Sequence, residues 1–214
     1  MKYSIIIPTM YFHIEQLSEM LTVYNAMQSV GEILIVNNNK EKAVEFGLSK
    51  VRTIGDGVNK YVNPSWKFGV ENAKYENVVL ANDDITIRGD IKKLFESVLD
   101  SISDNRVFGP APTCFFGFGT TTSRITIQKQ FVVNPHKISH GFGVLMFMKK
   151  EVFTNTNIPE DFLVWYGDHI ICLTNEPWQF SGVKIITGMR GTTSKMNLSM
   201  IALMERRAFK TLSV

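Results

Sequence analysis

The sequence predicts an α/β fold, with helices on both faces of a mainly parallel sheet and a more mixed second half. Three observations lead to this prediction. Short apolar runs alternate with segments that repeat apolar residues at helical spacing through the first half of the chain. The runs are almost continuously apolar, as in strands buried on both faces. A length of 214 residues suits one α/β domain with a sizeable core better than two.

The first half is predicted to alternate strands and helices, with a turn residue closing most of them. Pro8 closes the first strand, and the asparagines at residues 37–39 follow the second as a strong turn signal. A glycine-rich loop at residues 55–59 follows the third strand, and Pro64 suits the first turn of the next helix. In chain order, the predicted strands lie at residues 4–7, 32–36, 51–54, 78–81 and 85–87, and the predicted helices at 13–30 and 64–74.

The second half mixes helices and strands less regularly. Asp90 is predicted to cap a helix with the clearest amphipathic stripe in the chain, which we assign to the core. Residues 114–123, rich in glycine and aromatic side chains, predict a mobile surface loop. The other predicted elements are strands at residues 106–109, 125–133, 143–148 and 184–187, and helices at 168–175 and 197–210.

The composition is that of a folded, soluble protein, with 44% hydrophobic and 20% charged residues. No stretch approaches the roughly 20 apolar residues of a membrane helix. The first apolar run is too short for a signal peptide, so we expect cytoplasmic residence. Cys114 and Cys172 lie far apart, outside any metal-like spacing, and are expected to be buried thiols. The net charge of +3 permits an anionic ligand without marking a dedicated nucleic-acid binder.

Residues 78–87 carry the most informative pattern, because an apolar run stops at Asp83 and Asp84 and then resumes as a strand. A buried strand cannot hold unpaired charge cheaply, so both carboxylates should face a crevice, an ion or water. Hard divalent cations, which suit phosphate-bearing ligands, prefer such oxygen ligands. Taken alone, the pattern is better explained by an ordinary Asx turn at a strand end.

The positions of three strand ends change that interpretation. In open α/β sheets, ligands bind outside the carboxyl ends of the strands. The strands that end at Pro8, at Asn37 and at residues 82–84 would then line one rim. Three separate turn patterns therefore become one candidate site.

Several segments, in this order along the chain, resemble the GT-A glycosyltransferases, in particular the inverting family-two members that use nucleotide-diphosphate sugars. They are residues 4–9 (SIIIPT), 33–38 (ILIVNN), 66–73 (WKFGVENA), 80–85 (LANDDI), 141–153 (GFGVLMFMKKEVF) and 158–168 (IPEDFLVWYGD). The resemblance implies one GT-A domain over residues 1–214, built on a Rossmann-like sheet. Residues 1–88 would form its nucleotide-binding half and residues 89–214 its acceptor-side half.

The resemblance also implies roles for individual residues. Asp84 aligns with the metal-binding aspartate of the degenerate Asp-x-Asp element and would hold Mn²⁺ or Mg²⁺, and Asp168 aligns with the catalytic base. Asn37 stands where the family usually has an aspartate, and it can still accept a hydrogen bond from a base imide. The donor-side residues would be Pro8, Thr9, Asn37, Asn38, Trp66, Asn82, Asp83 and Arg190. The acceptor-side residues would be Trp165, Tyr166 and His140.

Two departures from the family pattern accompany these roles. Gly167 replaces the glutamate that usually precedes the base, and residues 188–190 replace a histidine that often completes the metal site. Arg190 could instead neutralise a diphosphate directly. Purely structural interpretations are the alternatives: Asp168 as a helix N-cap, Trp165 as a core residue, and His136 and His140 as exposed histidines.

The expected function is metal-dependent transfer of a hexosyl or pentosyl group, with inversion, from a nucleotide-diphosphate sugar, preferably a UDP-sugar, to an acceptor hydroxyl. The alternatives are an inactive binding module on the same fold and, ranked low because residues 9–14 lack glycine and basic residues, a nucleotidyltransferase. The acceptor is left open between a saccharide and a hydroxymethylated DNA base. A composition rich in Asn, Lys, Met and Phe resembles that of phage or low-GC bacterial proteins, and the basic late half suits a polyanion.

Overall fold

The computed structural model of the chain describes residues 1–42, 44–115, 124–130, 142–187 and 198–212. The described residues form ten strands and six α-helices. The strands are β1 (Tyr3–Thr9), β2 (Val30–Asn37), β3 (Val51–Ile54), β4 (Asn77–Ala81), β5 (Ile85–Arg88), β6 (Arg106–Pro110), β7 (Thr126–Lys129), β8 (Leu145–Lys149), β9 (Glu176–Ser181) and β10 (Lys184–Thr187). The helices are α1 (Ile14–Ala26), α2 (Val62–Glu71), α3 (Ile91–Ser101), α4 (Lys150–Asn155), α5 (Gly167–Thr174) and α6 (Ser199–Thr211).

Eight of the described strands form one sheet in the order β3-β2-β1-β4-β8-β6-β9-β7. The first four are mutually parallel, and β6 is parallel to β9. Strand β8 runs antiparallel between β4 and β6, and β7 is antiparallel to β9. Strands β5 and β10 form a separate antiparallel pair. The sheet is therefore parallel in its first half and mixed in its second, as the sequence predicts.

Helices cover both faces of the sheet because alternate side chains of its central strands are apolar on both sides. Along β1, Ile5 and Ile7 point to one face and Ile6 to the other, and all three are fully buried. The first face is covered by α1 and α3. The second is covered by α2, α4 and α5. Cys114 and Cys172 are both buried free thiols, which confirms that prediction.

Most predicted elements are present, with shifts that have local causes. The first helix ends at Ala26 because Met27 already has extended backbone and β2 begins at Val30. Strand β8 begins at Leu145, two residues later than predicted, because Phe142–Val144 form a 3-10 turn. Asp90 caps α3 as predicted, and its carboxylate accepts a 2.9 Å hydrogen bond from Lys93 N.

Two described elements were not predicted. Helix α4 is only six residues long, and β9 contains Pro177 and Gln179, which weaken its strand pattern. Residues 114–123 were predicted to be a loop, but Cys114 is the buried last residue of a 3-10 turn, and residues 116–123 lie outside the described ranges. The strand predicted at 125–133 is described as Thr126–Lys129, and residues 131–133 fall outside the described part.

None of the helices in the described ranges is both long and apolar enough to cross a membrane.

Candidate active site

The carboxyl ends of β1 and β4 are joined by a side-chain contact. In the parallel register of these strands Ile6 lies beside Leu80, so Thr9 comes level with Asp83. The Thr9 hydroxyl donates a 2.5 Å hydrogen bond to Asp83 Oδ2 and accepts one of 2.8 Å from Tyr11 N. Thr9 O in turn accepts a 3.0 Å bond from Asn38 N. Thr9 thus contacts two other residues that the sequence analysis placed on the donor side, Asn38 and Asp83.

Asp83 and Asp84 are both buried, at 6% and 7% exposure, in spite of their charge. Burial raises the pKa of Asp83 to about 6, although the Thr9 hydrogen bond opposes the shift. Burial also raises the pKa of Asp84, against the opposing effects of His13 and of a hydrogen bond from the Thr187 side chain. Two adjacent carboxylates whose ionised forms are destabilised by burial would gain from a cation placed between them and the solvent.

The donor set fits a divalent cation that keeps ligands from elsewhere. Within the described residues, no group of three His, Cys, Asp or Glu side chains is placed to hold a metal. Mg²⁺ is commonly bound through one or two carboxylates plus phosphate oxygens and water, so an aspartate pair is sufficient when a diphosphate supplies the rest. Asp84 and Asp83 are the residues that would hold such an ion.

His13 belongs to this site although the sequence analysis did not single it out. It precedes α1 directly, and when protonated its charge lowers the pKa of both Asp83 and Asp84. Its Nε2 atom is buried and has no hydrogen-bond partner within the described structure. A buried, unpartnered ring nitrogen beside two carboxylates is the kind of group that a ligand or a water completes.

Asn37 and Asn38 hold the loops that border the rim. Asn37 Oδ1 accepts a 2.8 Å bond from Asn39 N, which makes the Asx turn expected from the asparagine run. Asn38 contacts α2 and the loop before it, since its Nδ2 donates to Ser65 Oγ of the helix at 2.9 Å and its Oδ1 accepts from Lys60 N at 3.1 Å. Both side chains are buried, so each already has partners within the protein.

Other donor-side predictions are placed differently. Trp66 is 3% exposed and packs in the core between the sheet and α2, on the inward face of that helix. Its contact with a donor stays a prediction. Pro8 and Asn82 are half-buried at the rim, and Asn82 N donates a 3.1 Å bond to Val144 O.

Asp168, in α5, contacts the turn at residues 142–144, which leads into β8 beside β4. Its Oδ2 accepts a 3.0 Å bond from Gly143 N, in the turn that also holds Val144 beside Asn82. Its Oδ1 accepts from His169 N and contacts His169 Nδ1, both at 2.9 Å. Burial opposes ionisation, yet these hydrogen bonds and the charge of His169 outweigh it and hold the pKa of Asp168 below its ordinary value.

Asp168 is not the N-cap of α5, so the interpretation of this residue as a helix cap is wrong. Helix α5 begins at Gly167, with Tyr166 at the cap position, so Asp168 is the second helical residue. Its carboxylate does bond to His169 N within the first helical turn. The same group is only 17% exposed. It therefore combines a local role at the helix start with a position facing the 142–144 turn.

The acceptor-side aromatics precede Asp168 in a tightly held segment. Tyr166 has a left-handed backbone, with φ 63°, and its ring stacks on Phe209 of α6 at a centroid distance of 4.5 Å. Trp165 is half-buried, and its amide donates a 2.7 Å bond to Glu205 Oε2. Tyr166 is therefore engaged with α6, and whether either ring contacts an acceptor stays a prediction.

Three predicted or considered site residues lie outside the described ranges: His136, His140 and Arg190. Thr187, the last described residue before the gap at residues 188–197, pairs with Ile85 in the small sheet and bonds to Asp84.

The fold is the Rossmann-like α/β fold of the GT-A type. The chain is similar to the crystal structure of S. aureus TarS residues 1–349, at 15% identity and a TM-score of 0.61, covering 95% of this chain and 65% of that one. A TarS structure in complex with UDP-GlcNAc matches at 13% identity and a TM-score of 0.56, over 83% of this chain and 56% of that one. A nucleotidyl transferase from Methanothermobacter matches at 12% identity and a TM-score of 0.52, over 83% and 86%.

These similarities establish the fold alone. The chain spans less than two thirds of the TarS structure that it matches, at 65% of its length. No protein-family profile and no curated protein sequence matches the chain.

Proposed function

We propose that this protein is a metal-dependent glycosyltransferase that moves a sugar from a nucleotide-diphosphate donor to an acceptor hydroxyl with inversion. The observation that carries the proposal is the meeting of two kinds of carboxylate at one edge of the sheet. Asp83 and Asp84 supply a buried acidic pair at the end of β4. The neighbouring turn at residues 142–144 bonds Asp168 through Gly143 N and Asn82 through Val144 O.

The two kinds of carboxylate suit the two demands of sugar transfer. A departing diphosphate gains negative charge, and Mn²⁺ or Mg²⁺, when bound, would stabilise that charge. Asp84, with Asp83 beside it, would hold the ion. The acceptor hydroxyl must lose its proton as it attacks, and Asp168 would receive that proton. The lowered pKa of Asp168 keeps its carboxylate in the ionised, proton-accepting form near neutral pH.

A uridine diphosphate is the donor class we favour. TarS, whose domain shares the fold, has been crystallised with UDP and with UDP-GlcNAc. The Asn37 to Asn39 turn lies at the end of β2, beside the end of β1, where a base can be placed next to the strand ends. The sugar itself is left open by these observations.

Two acceptor classes remain candidates: a saccharide, and a hydroxymethylated base in DNA such as phages carry. Lysine and arginine residues in the second half of the chain favour a polyanion, and binding to DNA would weaken steeply with salt. A DNA acceptor would also require the target base to leave the duplex stack. The salt dependence of transfer therefore separates the two acceptors.

A nucleotidyltransferase is the second candidate, because one solved neighbour of the same fold is a nucleotidyl transferase. That reaction transfers the nucleoside monophosphate group of a nucleoside triphosphate to a sugar phosphate and releases pyrophosphate. In this chain β1 is followed by Met10 and Tyr11, where such an enzyme would need a glycine-rich basic loop. Pyrophosphate release from UTP and a sugar phosphate would favour this candidate over the first.

The deciding experiment is titration calorimetry with UDP, with and without Mn²⁺, on the native protein and on Asp84→Ala. Glu96→Ala is the matched control, because Glu96 is an exposed carboxylate that pairs only with Lys92 at 3.9 Å among the described residues. We expect metal-dependent binding that Asp84→Ala loses and Glu96→Ala keeps. Absence of nucleotide binding in the native protein would refute the donor site, and metal-dependent binding without donor hydrolysis would favour a binding module.

A further inference from the structure

Residues 162–166, which we call the pre-helix segment, lead directly into the helix that carries Asp168. Both the carbonyl groups and the amide groups of this segment are hydrogen-bonded by groups from distant parts of the chain. Helix α2 binds its carbonyl groups and helix α6 binds its amide groups. The segment has little regular secondary structure of its own, so these contacts determine where α5 begins.

Helix α2 holds the carbonyl side. Val62 N and Asn63 N both donate 2.9 Å bonds to Leu163 O. The Asn63 side chain donates from Nδ2 to Phe162 O at 2.9 Å and to Trp165 O at 3.1 Å. The first turn of α2 thus meets three carbonyl groups with its own free donors.

Asn63 also occupies the space that a side chain at position 167 would need. A Cβ atom added to Gly167 would lie 2.2 Å from Asn63 Oδ1. The family pattern has a glutamate at this position, and here the amide of Asn63 stands in its place. The glycine at position 167 therefore leaves room for Asn63, through which α2 binds the pre-helix segment.

Helix α6 holds the amide side through one carboxylate. Glu205 Oε1 accepts bonds from Leu163 N at 2.9 Å and from Val164 N at 3.0 Å, and Glu205 Oε2 accepts from Trp165 N at 2.7 Å. Three successive amides that converge on one anion form a backbone nest. In this protein the anion in the nest is supplied by the chain itself.

A carboxylate is a costly choice for a merely structural contact. Glu205 is 1% exposed, and the salt bridges found within the described residues do not include it. Burying an ionised group is expensive unless several hydrogen bonds compensate it, and well-packed apolar side chains stabilise a helix contact as well or better. What the carboxylate adds is a fixed direction for three peptide groups.

Aromatic packing completes the hold one helical turn later. Phe209, four residues after Glu205 and so on the same side of α6, stacks on Tyr166 and lies edge-on to His169 at 5.7 Å. Tyr166 keeps a left-handed backbone, which costs a residue with a Cβ on the order of 1–2 kcal/mol. Such a conformation persists only where its surroundings determine it.

We propose that Glu205 and Phe209 of α6 are positioning residues, which hold the pre-helix segment and so set the location of the Asp168 carboxylate. The proposal rests on the proposed function, because positioning matters only where Asp168 takes part in chemistry. A base must be held within about 0.5 Å of its productive place. Displacements near 1 Å can lower a rate by about 100-fold.

The test compares Glu205→Ala, Glu205→Gln and Phe209→Leu with Met204→Ala. Met204 is the matched control because it directly precedes Glu205 in α6 and is 63% exposed. The readouts are amide hydrogen exchange over residues 162–169, UDP affinity with Mn²⁺, and kcat and KM for donor turnover. Exchange reports on the segment whether or not the protein turns over a sugar.

We expect Glu205→Ala to speed exchange at residues 163–165 by about 10-fold or more, and to lower kcat roughly 10- to 100-fold. UDP affinity and the KM for the donor should stay within about twofold, because the donor rim is held by other contacts. Glu205→Gln keeps one acceptor oxygen and should loosen the segment less. Met204→Ala should change none of these quantities.

Unchanged exchange at residues 163–165, or a uniform rise over the whole protein with normal kcat, would overturn the proposal. If Glu205→Ala does not fold, Phe209→Leu decides the question by the same readouts, since it keeps the carboxylate and removes only the stacking. If Glu205→Ala speeds exchange at residues 163–165 but the native protein binds no nucleotide, the proposed function is refuted and the contact is shown to exist.

Discussion

Thr9 and Asp83 are separated by 74 residues in the chain and joined by a hydrogen bond of 2.5 Å. The contact lies beyond the last register pair of β1 and β4, Ile6 with Leu80, at the carboxyl ends of two parallel strands. A hydroxyl from the first strand therefore faces the acidic end of the fourth. It is one of few groups available to compensate the buried charge of Asp83.

Replacing Thr9 by Val should destabilise the protein in a pH-dependent way. The substitution keeps the shape of the side chain but leaves a buried carboxylate without its donor, which costs about 1–3 kcal/mol. The loss should be larger at pH 8, where Asp83 is ionised, than at pH 5, where it is protonated. Urea unfolding at both pH values measures it, and Thr9→Ser, which keeps the hydroxyl, should lose less. An equal loss at both pH values would contradict this account.

Replacing Asp83 by Asn should stabilise the metal-free protein above pH 6. A carboxyl group whose pKa is raised in the folded state binds protons more tightly there than when unfolded, so its contribution to stability falls as pH rises. A shift from 3.8 to about 6 corresponds to about 3 kcal/mol. That penalty develops between about pH 4 and pH 6. Urea unfolding should show the variant gaining stability at pH 8 and little at pH 4, with nucleotide binding lost.

Replacing Gly167 by Ala should destabilise α5 through Asn63. The new Cβ would meet Asn63 Oδ1 at 2.2 Å, and overpacking of this kind costs about 1–3 kcal/mol. Asn63→Ala alone should also destabilise, because the carbonyls of Phe162 and Trp165 lose a donor. The double variant should cost clearly less than the sum of the two, as measured by thermal unfolding. Strict additivity would show that the two residues do not compete for the same space.

Replacing Asp168 by Asn should remove catalysis and keep donor binding. The amide oxygen can still accept the bond from Gly143 N, so the turn that Asp168 contacts should persist. Loss of a general base lowers kcat by about 100- to 10,000-fold. Single-turnover kinetics with UDP-sugars, beside UDP titration, separates the two steps. A variant that binds UDP poorly would indicate that Asp168 serves the donor site instead.

The sequence was sufficient for those features that depend on local chemistry. Buried strands such as β1 and β4 are mostly apolar, Asp90 is a capping residue before an amphipathic stripe, and Asp83 and Asp84 interrupt an apolar run. Each of these patterns is readable within about ten residues. The convergence of strand ends followed from the general geometry of parallel sheets.

The contacts that hold the pre-helix segment were not predictable in the same way. Asn63 resembles any polar residue near a helix start, and Glu205 resembles any exposed charge on an amphipathic helix, although it is 1% exposed. For Trp66 the motif suggested a ligand contact, and the structure shows that its position on α2 also puts it in the core. Hydrogen bonds between residues far apart in sequence leave no local pattern from which they can be read.

The long-range contacts of the pre-helix segment also fix an order of assembly. Asn63 reaches Phe162 across 99 residues, and Glu205 reaches Leu163 across 42. During synthesis the N-terminal part of the chain is made first, so the parallel strands of the first half leave the ribosome before the pre-helix segment does. The segment before Asp168 receives its final partner only after residue 205 has left the ribosome. Under the proposed function, the nascent protein would until then have an acidic rim without its base in place, and would be able to bind a nucleotide before it could use it.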